Sequence, residues 1–190
     1  MTGAPAILIL AAGASRRMGG ADKLLEPVDG TPLLRRQAIR ALATGNPVIV
    51  TLPPDRPLRA QAIDGLPLIV VEVANAKLGM GHSLAAGVSA LPADAAGVLV
   101  LPADMPDIST DDIAACLAAF SENPNKILRA TNAVGAPGHP VIFPARLFSA
   151  LNGLSGDEGA RAVLKQEDVR PHAIPGQHAL TDLDTPEDWA

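Results

Sequence analysis

Residues 7–23, ILILAAGASRRMGGADK, decide how the rest of the chain is read. Ile7 to Leu10 are four apolar residues, too few for a helix and followed by small residues, which predicts a buried parallel strand. Ala11, Ala12, Gly13, Ala14 and Ser15 follow with little or no side chain. Such residues let backbone N–H groups approach a ligand closely, and successive N–H groups form a concavity that binds anions. Arg16, Arg17 and Lys23 then place three cations within eight positions. Arginine offers a planar fork suited to phosphate and lysine a movable point charge. Strand, loop and cations together predict a polyphosphate site. The stretch is not the dinucleotide fingerprint, because the first glycine of G-x-G-x-x-G is missing. Nor is it a Walker A loop, because no G-K-[ST] follows.

Composition narrows the classes. A chain of 190 residues is expected to form one domain, 1–190, with a substantial core. Aromatic residues are only 2%, so the core must be built from Ala, Val, Leu and Ile. The same scarcity, with a net charge of −5, argues against nucleic acid and against an anionic membrane surface. An anionic ligand must then be held by local cations or a metal. Cys116 is the single cysteine, which excludes an intrachain disulfide, and its setting in IAACLAAF predicts a core position. No apolar run reaches the roughly 18 residues of a membrane span, and no signal peptide is legible, so a cytoplasmic protein is expected.

Strand and helix patterns alternate along the chain. Thr31 is expected to cap a helix with Pro32 at its first position, running to Gly45. Residues 47–52 predict a strand, 58–63 a short helix and 68–71 a third strand. A small-residue helix follows over 84–91. Val98 to Leu101 predict a fourth strand, ending in Pro102-Ala103-Asp104, and Ser109 or Thr110 caps the next helix. Residues 127–130 predict a fifth strand and 132–140, NAVGAPGHP, a loop. Residues 141–143 are extended, helices follow near 144–151 and 160–166, and 169–174 form a last strand. This order predicts a single-domain three-layer α/β/α fold around a mainly parallel sheet. Ligands of such sheets sit beyond the carboxyl ends of the strands, where the loop after Leu10, Asp104 and the segment around Gly79 all fall.

Asp104 ends a buried strand. A hard cation such as Mg²⁺ takes oxygen donors, typically one or two carboxylates plus phosphate oxygens, and Asp104 fits that role beside a polyphosphate loop. Asp182 or Asp184 could supply a second oxygen. His139 stands in a rigid Gly-Pro context, and His82 near a helix start. The four histidines show no zinc spacing.

LAAGASRRMGGADKLL, LPADMPDI, GAPGHPVIF, GDEGAR and TDLDTPED occur in that order. In these motifs the chain resembles the molybdenum cofactor nucleotidyltransferases of the MobA-like NTP transferase fold, from Ile7 to Trp189. GHPV and GDEGAR resemble the cytidylyltransferase (MocA-like) branch. The resemblance implies the nucleotide-diphospho-sugar transferase (Rossmann-like) fold and a Mg²⁺-dependent reaction. CTP and molybdopterin-bound molybdenum would give molybdopterin cytosine dinucleotide and pyrophosphate, the pterin's terminal phosphate attacking the α-phosphorus. By motif, Ala11, Ala12, Gly13, Ser15, Arg17 and Lys23 would hold the triphosphate, with Arg16 at a variable position. Asp104 would carry Mg²⁺, with Asp184 ahead of Asp182 as second ligand. Asn75, Gly79, Met80 and Ser83 would border the nucleotide or pterin pocket. His139, Asp157 and Arg161 would face the pterin. The related guanylyltransferases read L-A-G-G where this chain has Leu10-Ala11-Ala12-Gly13, and the Ala12 methyl would crowd a purine, so CTP is expected over GTP. Two alternatives remain. One is a GTP-using or sugar- or polyol-phosphate nucleotidyltransferase. The other is a chaperone that delivers the finished cofactor to a molybdenum hydroxylase.

Overall fold

The computed structural model describes residues 3–14, 21–157 and 159–183. Strand β1 (Ala6–Leu10) leads through the small-residue loop to a two-residue hairpin, β2 (Pro27–Val28) and β3 (Thr31–Pro32). Then come α1 (Leu33–Leu42), β4 (Val48–Leu52), α2 (Pro57–Ala62), β5 (Ile69–Glu72), α3 (Met80–Ser89) and β6 (Gly97–Pro102). The chain continues through α4 (Thr110–Glu122), β7 (Ile127–Thr131), β8 (Pro137–Pro144), α5 (Phe148–Asn152), α6 (Arg161–Gln166) and β9 (Val169–Ala173).

Seven strands form one sheet in the order β5-β4-β1-β6-β8-β7-β9. The first four run parallel. Strand β8 runs antiparallel between β6 and β7, and β9 pairs parallel with β7. Alternation along β1 feeds two cores. Ile7 and Ile9 pack with Leu34 and Ala38 of α1 and Ile113, Cys116 and Phe120 of α4. Ala6 and Leu8 face the other way, onto Leu84 and Val88 of α3, Leu151 of α5 and Val163 of α6. Helices therefore cover both faces, which is why the strands read as continuous apolar runs and not as alternating ones. The expected three-layer α/β/α architecture is observed. Strand β5, at one edge of the sheet, exposes Ile69 (47%) and Val70 (46%).

Two expectations are corrected. Thr31 does not cap α1. It pairs with Val28, and Asp29 and Gly30 both take positive φ (51° and 78°), the backbone of a tight two-residue hairpin. Pro32 is the residue before the helix, no side chain caps it, and the helix ends at Leu42, ahead of Gly45. The second correction concerns 132–140, where only 132–136 is loop. The Asn132 side-chain oxygen accepts from the N–H groups of Val134 (3.2 Å) and Ala136 (2.8 Å) and shapes that tip. Pro137, Gly138, His139 and Pro140 already belong to β8. Prolines are tolerated there because the pairing with β7 shifts register between Arg129 and Thr131, where ladder donors are not all required. Of the two candidate caps for α4, the structure uses Ser109, which forms a reciprocal capping box with Asp112.

Candidate active site

A cleft of about 760 Å³ opens at the carboxyl edge of the parallel strands. Ala12 and Gly13 from the loop after β1 and Lys23 beyond it form one wall. Asp104 lies on the floor, just past β6. Gly79, Met80 and Ser83 come from the start of α3, and His139 and Asp157 close the far side. Register explains the position. Leu10 lies opposite Thr51 and Pro102, so the chain leaves β1 between the ends of β4 and β6.

The loop after β1 is anchored from below. Ala11 N–H donates to the Thr51 carbonyl at 3.1 Å. The Arg59 guanidinium of α2 is wholly buried. Its Nη1 donates to the carbonyls of Ala11 (2.6 Å) and Gly13 (2.7 Å). Its Nε and Nη2 hold both oxygens of Asp22, at 2.8 and 2.9 Å. Arg56 adds a bond to the Ala14 carbonyl at 2.9 Å.

Asp104 is placed by backbone and by α1. The neighbouring Ala103 N–H donates to the Leu10 carbonyl (3.1 Å), and the Asp104 carbonyl accepts from Leu183 N–H (3.0 Å). Gln37 of α1 donates to the Met105 carbonyl, Arg36 to Pro106 (2.8 Å), and Arg40 to Pro106 (2.6 Å) and Ile108 (2.7 Å). The turn after β6 is thus clamped while the Asp104 carboxylate points into the cleft. There it accepts from Lys23 Nζ at 2.5 Å, the two side chains being only 13% and 21% exposed. Asp182 lines the same cleft. Among the described residues no three His, Cys, Asp or Glu side chains gather to hold a metal by themselves. One or two carboxylates open to added phosphate oxygens are nevertheless the donor set Mg²⁺ uses, so Asp104 and Asp182 fit that ion.

The far wall is different. His139 sits beside Asp104, and burial, with the nearby Arg129 charge, pushes its pKa down to about 4. The ring is neutral at pH 7, and its buried Nδ1 has no partner among the described residues. Arg129, at the cleft wall, uses Nε on the Gly138 carbonyl (3.1 Å), leaving its terminal nitrogens without a partner among the described residues. Burial and the neighbouring Arg161 charge lower its pKa. The loop that carries Asp157 is pressed onto α3. Gly81 N–H donates to the Gly156 carbonyl (2.8 Å), and a Cβ at Gly79, whose φ is 123°, would come within 2.3 Å of the Gly156 backbone. The segment after β9 is tied down by His178 Nδ1 against Asp112 (2.8 Å). It meets β8 where His139 N–H donates to the Ala179 carbonyl (2.9 Å).

The residues singled out in the sequence converge unevenly. Ala12, Gly13, Lys23, Gly79, Met80, Ser83, Asp104, His139 and Asp157 share the cleft. Ala11 is buried beneath it and offers its carbonyl to Arg59. Asn75 is exposed before the turn Ala76–Leu78, away from the lining, and Arg161 is exposed at the start of α6. Ser15, Arg16, Arg17 and Asp184 lie outside the described residues. His82 lies in the first turn of α3 and does not line the cleft. Sequence reasoning missed Arg59, Asp22, Arg129 and Gln37. Arg59 and Gln37 lie in ordinary helical segments, and only their complete burial marks them as unusual.

The comparisons with known proteins agree with this geometry. The family model of the MobA-like NTP transferase domain matches residues 7–171. Purine catabolism protein PucB of Bacillus subtilis (strain 168) is 32% identical over 119 residues, 60% of this chain and 56% of PucB, so the match spans little more than half of that relative. Nicotine blue oxidoreductase of Paenarthrobacter nicotinovorans is 30% identical over 168 residues, covering 84% of this chain and 81% of that protein. Rv0371c from Mycobacterium tuberculosis H37Rv superposes with a TM-score of 0.82 at 27% identity, over 98% of this chain and 96% of that one. A second crystal structure of Rv0371c, a complex with manganese, gives 0.78 at 25% identity over the same shares. With the sheet order, the site at its carboxyl edge and the family match in agreement, the chain belongs to the MobA-like NTP transferase family.

Proposed function

We propose that this protein transfers CMP from CTP to the terminal phosphate of molybdopterin-bound molybdenum, releasing pyrophosphate. The observation that carries the reading is the convergence of the Gly13 loop, Lys23 and Asp104 on one cleft. The triphosphate lies along the N–H groups of the loop, with Lys23 on its phosphates. Ser15, Arg16 and Arg17, placed by motif, complete that cradle. Lys23 leaves Asp104 for the phosphates as the nucleotide enters, which frees the carboxylate. Asp104 and Asp182 would hold Mg²⁺, which would supply neutralisation of phosphate charge, and Asp184 remains a candidate by motif. The manganese complex of Rv0371c supports a divalent ion in this fold.

The acceptor lies against His139, Asp157, Arg129 and Arg161. A phosphate oxygen of the acceptor attacks the α-phosphorus as the bond to the bridging oxygen of pyrophosphate breaks, with no covalent enzyme intermediate. Positioning and charge neutralisation supply the rate. The two neighbouring guanidiniums favour a dianionic phosphate over a neutral hydroxyl acceptor, because mutual repulsion is relieved only by added negative charge. Ala12 at the loop favours cytosine over a purine.

The test is pyrophosphate release by the purified protein with Mg²⁺ and molybdopterin-bound molybdenum, comparing CTP with GTP. Release with CTP alone is expected. Release with GTP would keep the chemistry and overturn the base assignment. Tight binding of the finished dinucleotide without release would favour a cofactor chaperone, consistent with a role beside a molybdenum hydroxylase.

A further inference from the structure

Arg59 touches no part of the cleft surface, yet it is the most heavily bonded side chain near it. Its fork reaches both ends of the phosphate loop. At the start it holds the carbonyls of Ala11 and Gly13. At the end it holds both oxygens of Asp22, the residue before Lys23. Asp22 in turn accepts from Leu24 N–H at 3.2 Å. One buried guanidinium therefore ties Ala11 and Gly13 to Asp22.

The peptide plane converts this into a statement about the ligand side. In a trans peptide the carbonyl of one residue and the N–H of the next point in opposite directions. Drawing the carbonyls of Ala11 and Gly13 down onto Arg59 turns the N–H groups of Ala12 and Ala14 up, toward the cleft their residues line. Arg56 bonds the Ala14 carbonyl as well. The second observation is independent. The N–H groups of Ala12, Gly13 and Ala14 have no acceptor among the described residues, whereas Ala11 N–H, one residue earlier, is paired in the sheet. Unpaired donors held in a row are a site for an anion.

We infer that Arg59, with Asp22, is a positioning residue that presets the backbone N–H cradle for the nucleotide's phosphates, without touching nucleotide itself. The inference rests on the nucleotide-binding reading of this cleft and adds a residue that the motifs do not contain. A fixed fork is required. Lysine keeps the charge opposite Asp22 but cannot bond two carbonyls and two carboxylate oxygens at once.

The experiment measures binding of CTP and of inorganic tripolyphosphate, each with Mg²⁺, to the full chain and to Arg59→Lys and Asp22→Asn, alongside melting temperature. Arg146→Ala, a surface arginine far from the loop, is the control. Both variants are expected to stay folded and to bind CTP and tripolyphosphate about tenfold more weakly, by the same factor, as one to two lost hydrogen bonds imply. KM for the acceptor should stay within about twofold, a split that general loosening of the fold would not give. Unchanged tripolyphosphate affinity in either folded variant overturns the inference. So does failure of both variants to fold, which would make the pair a core fastener only. If the unmodified protein binds neither ligand, the nucleotide reading itself has failed, and this inference falls with it.

Discussion

The two walls of the cleft are built on opposite plans. On the wall formed by the loop after β1, the described cations are committed to partners. Arg59 and Asp22 form a buried ion pair, Arg56 assists at 3.5 Å, and Lys23 holds Asp104. On the wall formed by β7, β8 and the loop carrying Asp157, groups are left uncommitted among the described residues. His139 has an unpartnered buried nitrogen, Arg129 has one backbone bond, and Arg161 lies near enough to repel it. Satisfied polar networks rigidify, while unsatisfied ones are a cost the fold carries until something fills them. The first wall is preorganised for a ligand with fixed features. The second is built to be completed by its ligand.

The largest effect should come from the residue between the walls. Asp104→Ala should lower turnover by about 10³-fold, in the range of losing one preorganised electrostatic group. Melting temperature should fall by only a few degrees, since the backbone contacts of residue 104 do not involve its side chain and Lys23, its one cationic partner among the described residues, is long enough to reach solvent. A collapse of stability would make Asp104 structural. Next, Arg59→Ala should cost about 3–5 kcal/mol of unfolding free energy, because it removes the buried partner of the Asp22 carboxylate, whose side chain is only 9% exposed, and unpairs the Ala11 and Gly13 carbonyls. Denaturant melts would check this.

The far wall predicts a pH dependence. His139 takes a proton near pH 4 in the folded chain and near 6.5 when unfolded. The unfolded state therefore binds more protons between these values, and stability falls as pH drops from about 6.5 to 4, by at most about 3 kcal/mol. His139→Gln should remove that component while the carboxylate contribution persists. Identical acid profiles for the two proteins would show that the ring is not held neutral. A smaller effect is expected from Arg161→Ala, with acceptor KM raised about tenfold and stability unchanged or slightly improved as repulsion on Arg129 is relieved. Loss of stability there would mean that the far wall is packed like the near one. Least of all, Arg146→Ala should leave melting temperature and activity unmoved. Its pairing with Glu167 at 2.6 Å lies on the exposed surface, where solvent screens it.

Much of this was legible before folding. Continuous apolar strands alternating with helices imply a parallel sheet covered on both faces, and that implies a site at the carboxyl edge. Nine of the motif residues meet there. The GHP segment misled, because prolines and glycines look the same in a loop and in a strand whose register is broken. Thr31 misled for a similar reason, since Thr-Pro suits both a helix start and the second arm of a tight hairpin.

The sequence by itself determined the sheet-and-helix alternation, the small-residue loop and the cations beside it, because each depends on neighbours within a few positions. Only the tertiary structure decided that Arg59 lies buried beneath Ala11 and Gly13, 48 and 46 positions away. It alone set Arg129 against His139 and reversed β8 between two other strands. Those relations depend on strand order and on which helix face turns inward. Side-chain burial and long-range charge pairing follow from that packing, and no local pattern encodes it.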